Sequence, residues 1–476
     1  MSVFVLELPL KTNISDIHAL DKYFELSRKL YNVLLSESLK RLNLIRQSKQ
    51  YRSIKKLPKK EQSKAYSAIQ NEFKFTKYDM ITFSTPLRVN EFKDVDSNTV
   101  QKLAQRAFAA TFKMMIGKAK KVNFKRKNEM DSVEGASNKQ GIKFRDGFLQ
   151  WNKLKIPAII KKSDYYAHEA LSNKIKYCRV VRKLIRGKTK YYIQLVLEGF
   201  PPKKVDNETG MFKHKYGKGR VGIDTSLQVM AVASENNVQI YELAPSINNI
   251  NKQKRILQRK LDRQRRVNNP HKYNDDGTIK RTKEKWIWSK NYIKTKNKLA
   301  EIQRKLTGIR KMEHNILANE IVTLGNEFYI EPISYAGLSR RSKKTEKNKD
   351  GRFKSKKRYG KSISSKAPSM FIGILKNKLN YCGLLLNEIN TKEVKASQYN
   401  HIDNSYVKST LNERWKLVCD NLVQRDLYSA FLIMNVNSKL NSVDRNRCIE
   451  SWSDFLRLHE IEVRRLGLMD RKLSVV

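Results

Sequence analysis

The feature that most constrains this chain is a block of apolar, strand-type sequence with a carboxylate inside it. Val221–Ser234 (VGIDTSLQVMAVAS) and Val238–Leu243 (VQIYEL) read as antiparallel strands joined by a turn at Glu235–Asn237. Asp224 lies within the first strand, where an unpaired charge is costly unless a cation or ligand compensates it. A long helix from about Lys285 to Leu324 follows, with Leu299, Ile302, Leu306 and Ile309 at three- and four-residue steps, Ile316 two turns further on, and Gly325 as its C-cap. Phe328–Ile330 then reads as a buried strand ending at Glu331. Phe371–Leu386 returns to helix, Ile389–Val394 reads as a strand, and Val423–Asn435 as a helix with Asp426 near its start, where the helix dipole favours an anion.

Upstream, Val3–Leu10 is strand-like, Ile17 opens a helix with Leu20, Phe24, Leu30 and Leu34 on one face, and Asp96–Ser97 caps a second helix. Short β-type runs such as Lys190–Leu197 occupy Val122–Glu198. Gly199–Arg220, rich in Pro, Gly and Lys, reads as a linker or mobile loop. Charge points to a polyanionic partner, with nucleic acid the first candidate and an acidic membrane surface the rival. Among 476 residues, 98 Lys+Arg against 46 Asp+Glu leave a net charge of +52, which a compact body holds most readily beside a polyanion. Lys252–Arg266 carries eight basic residues and one acid, and Leu338–Lys366 carries 13 and two; the latter is expected to be solvated and mobile without a ligand. No apolar run reaches the roughly 20 residues of a membrane span, and Met1–Leu10 has no basic segment followed by an apolar one, so neither secretion nor membrane insertion is expected.

Several chemistries are disfavoured. Gly217, Gly219 and Gly222 fit GxGxxG but precede a strand instead of joining strand to helix, and there is no GxxxxGK[ST] loop. The cysteines (Cys178, Cys382, Cys419, Cys448) form no CxxC, which leaves no disulfide framework or complete zinc ribbon. Asp224, Glu331 and Asp426 stand out by their context. Carboxylates from separate elements can hold two divalent cations for in-line phosphoryl displacement, and hard oxygen donors suit Mg²⁺ or Mn²⁺ better than zinc. Each acid also has an ordinary explanation: Asp426 a helix cap, Glu331 a surface acid at a strand end, Asp224 a turn or salt-bridge residue.

Three segments resemble the split RuvC motifs of the TnpB family, the RNA-guided nucleases of insertion-sequence transposons related to compact type V CRISPR effectors. They are GIDTSLQVMAVAS (Gly222–Ser234), IEPISYAGLSRR (Ile330–Arg341) and RDLYSAFLIMN (Arg425–Asn435). The resemblance covers most of Val221–Asn435, with a weaker echo in Leu30–Asn32 and Ser97–Phe112. It implies an α+β multidomain protein, in which an α-helical recognition lobe and a β-barrel-like wedge domain precede an RNase H-like α/β RuvC nuclease domain. The implied organisation is a first wedge strand (1–16), helical lobe (17–121), wedge β domain (122–200), linker (201–220), RuvC motifs I and II (221–395), a degenerate zinc-ribbon-like insertion (396–420), and motif III with the tail (421–476).

Carried over residue by residue, the resemblance makes Asp224, Glu331 and Asp426 the catalytic and Mg²⁺-binding triad, with Mn²⁺ a possible substitute. It implies a guide RNA and a double-stranded DNA target as partners, with no membrane, and a cytoplasmic protein that is nucleoid-associated when DNA-bound. Arg425, Arg340, Arg263 and Arg265 are candidate phosphate contacts. Ser97, Asn98 and Gln101 are candidates for reading a target-adjacent motif; capping or a solvated face is the ordinary alternative. Three departures stand out: Ser226 where the family commonly has Gly, Tyr428 in place of the Asn of DxNAA, and Ala396–Asp426 retaining only Cys419 of two CxxC pairs. The last implies a zinc-free ribbon remnant held by Tyr399, Tyr406 and Trp415. A non-cleaving RNA-guided repressor and an RNA-binding scaffold with an inert RuvC fold are the rival readings.

Overall fold

The computed structural model describes residues 2–203, 215–342, 345–347, 351, 359–408 and 413–468. The chain divides into two compact units, Met1–Lys203 and Lys204–Val476.

The first unit opens with β1 (Val3–Pro9), whose alternation buries Phe4, Leu6 and Leu8. A capping box at Asn13 starts α1 (Ile14–Gln47), followed by α2 (Lys49–Ile54), α3 (Lys59–Glu72), α4 (Lys77–Asn90) and α5 (Ser97–Met115). The β region comprises β2 (Ser132–Glu134), β3 (Lys143–Arg145), β4 (Phe148–Trp151), β5 (Leu154–Pro157), α6 (Tyr165–Leu171), β6 (Ile175–Ile185) and β7 (Lys188–Glu198). Its strands form a four-stranded sheet, β1-β7-β6-β2, and a three-stranded sheet, β3-β4-β5, bridged where Leu10 pairs with Ala158. Instead of the expected barrel-like wedge, the described strands form two open sheets without closure. Leu20, Phe24 and Leu34 of α1, Leu103 and Ala107 of α5, and Trp151 and Tyr191 of the sheets share one core.

The second unit begins with the antiparallel meander β8 (Arg220–Thr225), β9 (Val229–Ser234) and β10 (Val238–Glu242). A helical hairpin follows, α7 (Ile247–Asn268) and α8 (Lys290–Val322), then β11 (Glu327–Ile330), α9 (Tyr335–Leu338), α10 (Gly360–Lys366), α11 (Pro368–Tyr381), β12 (Leu386–Glu388) and α12 (Thr391–Val394). The sheet order is β10-β9-β8-β11-β12, with β11 parallel to both β8 and β12. Two small hairpins, β13 (Tyr399–Asn400) with β14 (Ser405–Tyr406) and β15 (Trp415–Val418) with β16 (Asn421–Gln424), lead to α13 (Arg425–Met434), α14 (Arg445–Glu450) and α15 (Trp452–Arg465). No described helix is long and apolar enough to cross a membrane.

Three local expectations are corrected. Val423 and Gln424 pair with Lys416 and Trp415 as strand, so the helix starts at Arg425. The strand lies at Leu386–Glu388, and Thr391–Val394 is a helical turn capped by Asn390. The end of the basic segment Leu338–Lys366 is ordered: Lys366 is buried, its ammonium donating to Glu242 (2.7 Å) and the Ala244 carbonyl (3.2 Å). Much of the rest of that segment, and residues 204–214 of the linker, lie outside the described residues.

Gly222 permits the closest approach in this unit. A Cβ there would stand 2.1 Å from the Ala430 carbonyl oxygen and 2.3 Å from the Met434 nitrogen, so α13 lies backbone-to-backbone on β8. Gly222→Ala is therefore expected to cost about 3 kcal/mol in urea or thermal unfolding. Gly308→Ala, in α8 with open space around its Cβ position, should be neutral or gain up to about 1 kcal/mol. Equal stabilities for the two variants would refute this packing.

Candidate active site

β8, β11 and α13 each contribute one carboxylate. β8 and β11 run parallel with Ile223 opposite Ile330, and the Glu331 N–H donates to the Ile223 carbonyl at 3.2 Å. Asp224 and Glu331 are the next residues on these adjacent strands. The Thr225 hydroxyl donates to the Glu331 carbonyl at 3.2 Å, which ties the strand ends together. On β8, Asp224 lies two residues beyond Gly222 and so on the same face, the one covered by α13. On α13, Asp426 lies four residues before Ala430, one turn nearer the Asp224 end.

The electrostatics follow from this crowding. Burial raises Asp224 well above the usual carboxylate range, and the charges of Glu331 and Asp426 push it further, against an opposing pull from Arg425. Burial also raises Glu331. All three side chains nevertheless keep partial exposure. Asp426 is held locally: its Oδ1 meets Arg425 and its Oδ2 meets Arg414, both at 3.4 Å, and Gln424 Nε2 donates to Oδ2 at 3.3 Å. Gln424 also caps the helix, its Oε1 accepting from the Leu427 N–H at 2.7 Å. Among the described residues no three His, Cys, Asp or Glu side chains are gathered tightly enough to cage a metal. The donor chemistry still suits a divalent cation: three hard oxygen donors on neighbouring elements, whose mutual repulsion a cation would relieve.

Of the candidate nucleic-acid contacts, only Arg425 joins the triad. Arg340 is exposed just beyond α9, and Arg263 is exposed on α7. Arg265 is a packing residue, paired with Asp262 at 2.6 Å and lying over Tyr273 and Trp286. In the first unit, the cap of α5 is Asp96, not Ser97: its carboxylate accepts from the Thr99 N–H at 2.9 Å and from Trp151 Nε1 at 3.1 Å. Ser97 is exposed, Gln101 is half-buried, and Asn98 donates to the Gln140 carbonyl at 3.0 Å. Arg414, Gln424 and Tyr335, whose hydroxyl donates to the Ser226 carbonyl at 3.2 Å, are neighbours of the site that sequence reading missed. Of these only Gln424, two residues before Asp426, lay close enough in the sequence to be found.

The ribbon region keeps the expected Tyr399–Tyr406 contact and adds a fastening residue that was not expected. Tyr399 packs on Tyr406 at 5.0 Å, but Trp415 stands over His459 of α15 at 6.5 Å. His401 is the link between hairpin and helix, buried against Tyr428, Phe431 and Trp452. The Tyr428 hydroxyl accepts from the His401 N–H (3.2 Å) and is hydrogen-bonded to ring Nδ1 (2.7 Å). Cys419 is exposed in the β15–β16 turn.

No family model matches the chain, and no curated protein matches it. Among solved structures, the chain is similar at a TM-score of 0.44 and 11% identity to the protein of a cryo-EM Cas12f1–sgRNA–target DNA complex, over 92% of this chain and 99% of that one. A CRISPR-Cas12f ternary complex matches at a TM-score of 0.27 and 12% identity, over 91% and 87%. At these scores the likeness is loose.

Burial, aided by Arg445 and Lys416, lowers His401 from 6.5 to about 4. Its neutral form is therefore the folded one, and stability falls as pH drops from about 6.5 towards 4, where only the unfolded chain takes up the proton. Over that window wild type should lose about 3 kcal/mol more than His401→Asn in urea unfolding. Parallel pH curves for the two proteins would refute the buried, neutral assignment.

Proposed function

We propose that this protein is an RNA-guided DNA endonuclease that binds a guide RNA, recognises a short target-adjacent motif and cleaves double-stranded DNA in a single RuvC-type site. The observation that carries the nuclease reading is the convergence of Asp224, Glu331 and Asp426, from two adjacent parallel strands and the helix laid across them, with Asp224 raised by burial and further by the other two. The strand order β10-β9-β8-β11-β12, an antiparallel meander followed by parallel strands, supports an RNase H-like domain. The guided part of the reading rests on the resemblance of the three motifs to the TnpB family.

In this reading Asp224, Glu331 and Asp426 hold divalent cations, Mg²⁺ or Mn²⁺. When bound, these supply an activated water and charge stabilisation at the attacking and leaving oxygens of the phosphodiester. Asp224 and Glu331 offer fixed oxygens from strand ends, which keeps the donor set rigid. Arg425 and Arg414 restrain Asp426, and in this reading their guanidinium groups would also meet the scissile phosphate. Gln424 fixes the first turn of α13, and with it the position of Asp426. The rival is a non-cleaving RNA-guided repressor; retention of all three acids favours the nuclease.

Asp224→Ala or Asp426→Ala is expected to reduce plasmid cleavage by the purified ribonucleoprotein in Mg²⁺ by more than about 10²-fold, with guide and target binding retained. Wild-type cleavage in either variant would remove the site assignment. Binding without nicking or linearisation by the unmodified protein would favour the repressor.

A further inference from the structure

Between α7 and α8 the chain builds a rigid aromatic module that the proposed cleavage chemistry does not use. Asn269 is fully buried, and its side chain grips both backbone groups of Ile287: Oδ1 accepts from the N–H at 2.7 Å and Nδ2 donates to the carbonyl at 2.9 Å. Trp286 and Trp288 flank that anchored residue, with ring centroids 5.8 Å apart and planes 12° from parallel. Tyr292, in the first turn of α8, continues the run at 4.5 Å and 24° from Trp288. Tyr273 packs edge-on against Trp286, and Lys272 is buried beneath, its ammonium bonded to Thr282 and to the Glu284 carbonyl. The support is buried, yet Trp288 is 44% exposed and Ile287 60%.

The surroundings are cationic. Lys280–Lys298 contains eight basic residues, all exposed, and one acid, Glu284. Near-parallel rings fixed in place among exposed cations match the two needs of an unpaired nucleic-acid strand, a π-surface for its bases and positive charge for its phosphates. A second copy of this chain fits poorly, because a two-fold contact would set the same eight cations against each other.

We propose that the Trp286–Trp288–Tyr292 run is a platform on which unpaired bases of a single-stranded nucleic acid stack, with Trp288 as the principal contact. The platform shares the nucleic-acid partner of the function proposed above but not its chemistry. Oligonucleotide binding and plasmid cleavage are separate readouts, so either proposal can fail without the other.

The test is fluorescence anisotropy of the full chain with labelled oligouridine, oligothymidine and an abasic oligomer of equal length. Trp288→Ala should weaken binding of the base-bearing oligomers by about 5- to 150-fold, and leave the abasic oligomer unchanged. Trp288→Phe should retain most of the affinity, with thermal melting showing both variants folded. A preference for oligouridine would assign the platform to the RNA, and one for oligothymidine to an unpaired DNA strand; either supports it. Unchanged affinities in Trp288→Ala, or an equal loss on the abasic oligomer, would overturn the proposal. So would a variant that changes only the sedimentation of the protein, since that would make the surface a contact between copies.

Discussion

The contact on which the site depends is the backbone-to-backbone approach of α13 to β8 at Gly222. A side chain there would hold the helix away from the sheet, and Asp426 with it. With glycine in place, the two-residue step to Asp224 along the strand and the four-residue step to Asp426 along the helix lead the same way. Parallel pairing of β8 with β11 brings Glu331 to the same edge. Three elements separated by long stretches of sequence thereby concentrate negative charge at one place in a strongly basic chain.

That concentration is costly, and its surroundings show how it is tolerated. Asp426 is shared between Arg414 and Arg425, while the rise in Asp224 reflects burial together with its acidic neighbours. A cation bound among the acids would relieve the same repulsion. The hairpins before α13 give further support: His401 docks on Tyr428, and the Gln424 N–H donates to His459 Nε2 at 2.8 Å. Both bonds bear on the first turn of the helix that carries Asp426.

Legibility in the sequence followed the range of the interactions. Asp224 and Glu331 could be placed on strands because apolar runs surround them, but of the meander only the β9–β10 turn was readable: Val221–Ser234 reads as one strand, and the turn that divides it into β8 and β9 was missed. Short segments failed: Val423–Gln424 is apolar enough for either state, and only its pairing with Trp415–Lys416 makes it strand. Lys366 reads as part of a solvated run until its partner Glu242, 124 positions away, is known. His401 gave no sign of its packing role, because its partner Tyr428 lies 27 residues on. Gly222 was set aside as part of a chance GxGxxG, although its role is close packing and not phosphate binding.

The most direct test of the central claim, that these three carboxylates form one cation-binding centre, is electron paramagnetic resonance of Mn²⁺ added to the purified full-length protein. Wild type should bind Mn²⁺ in competition with Mg²⁺, and Asp224→Asn and Asp426→Asn should each weaken that binding while leaving the melting temperature near wild type. Undiminished Mn²⁺ binding in both variants would contradict the account.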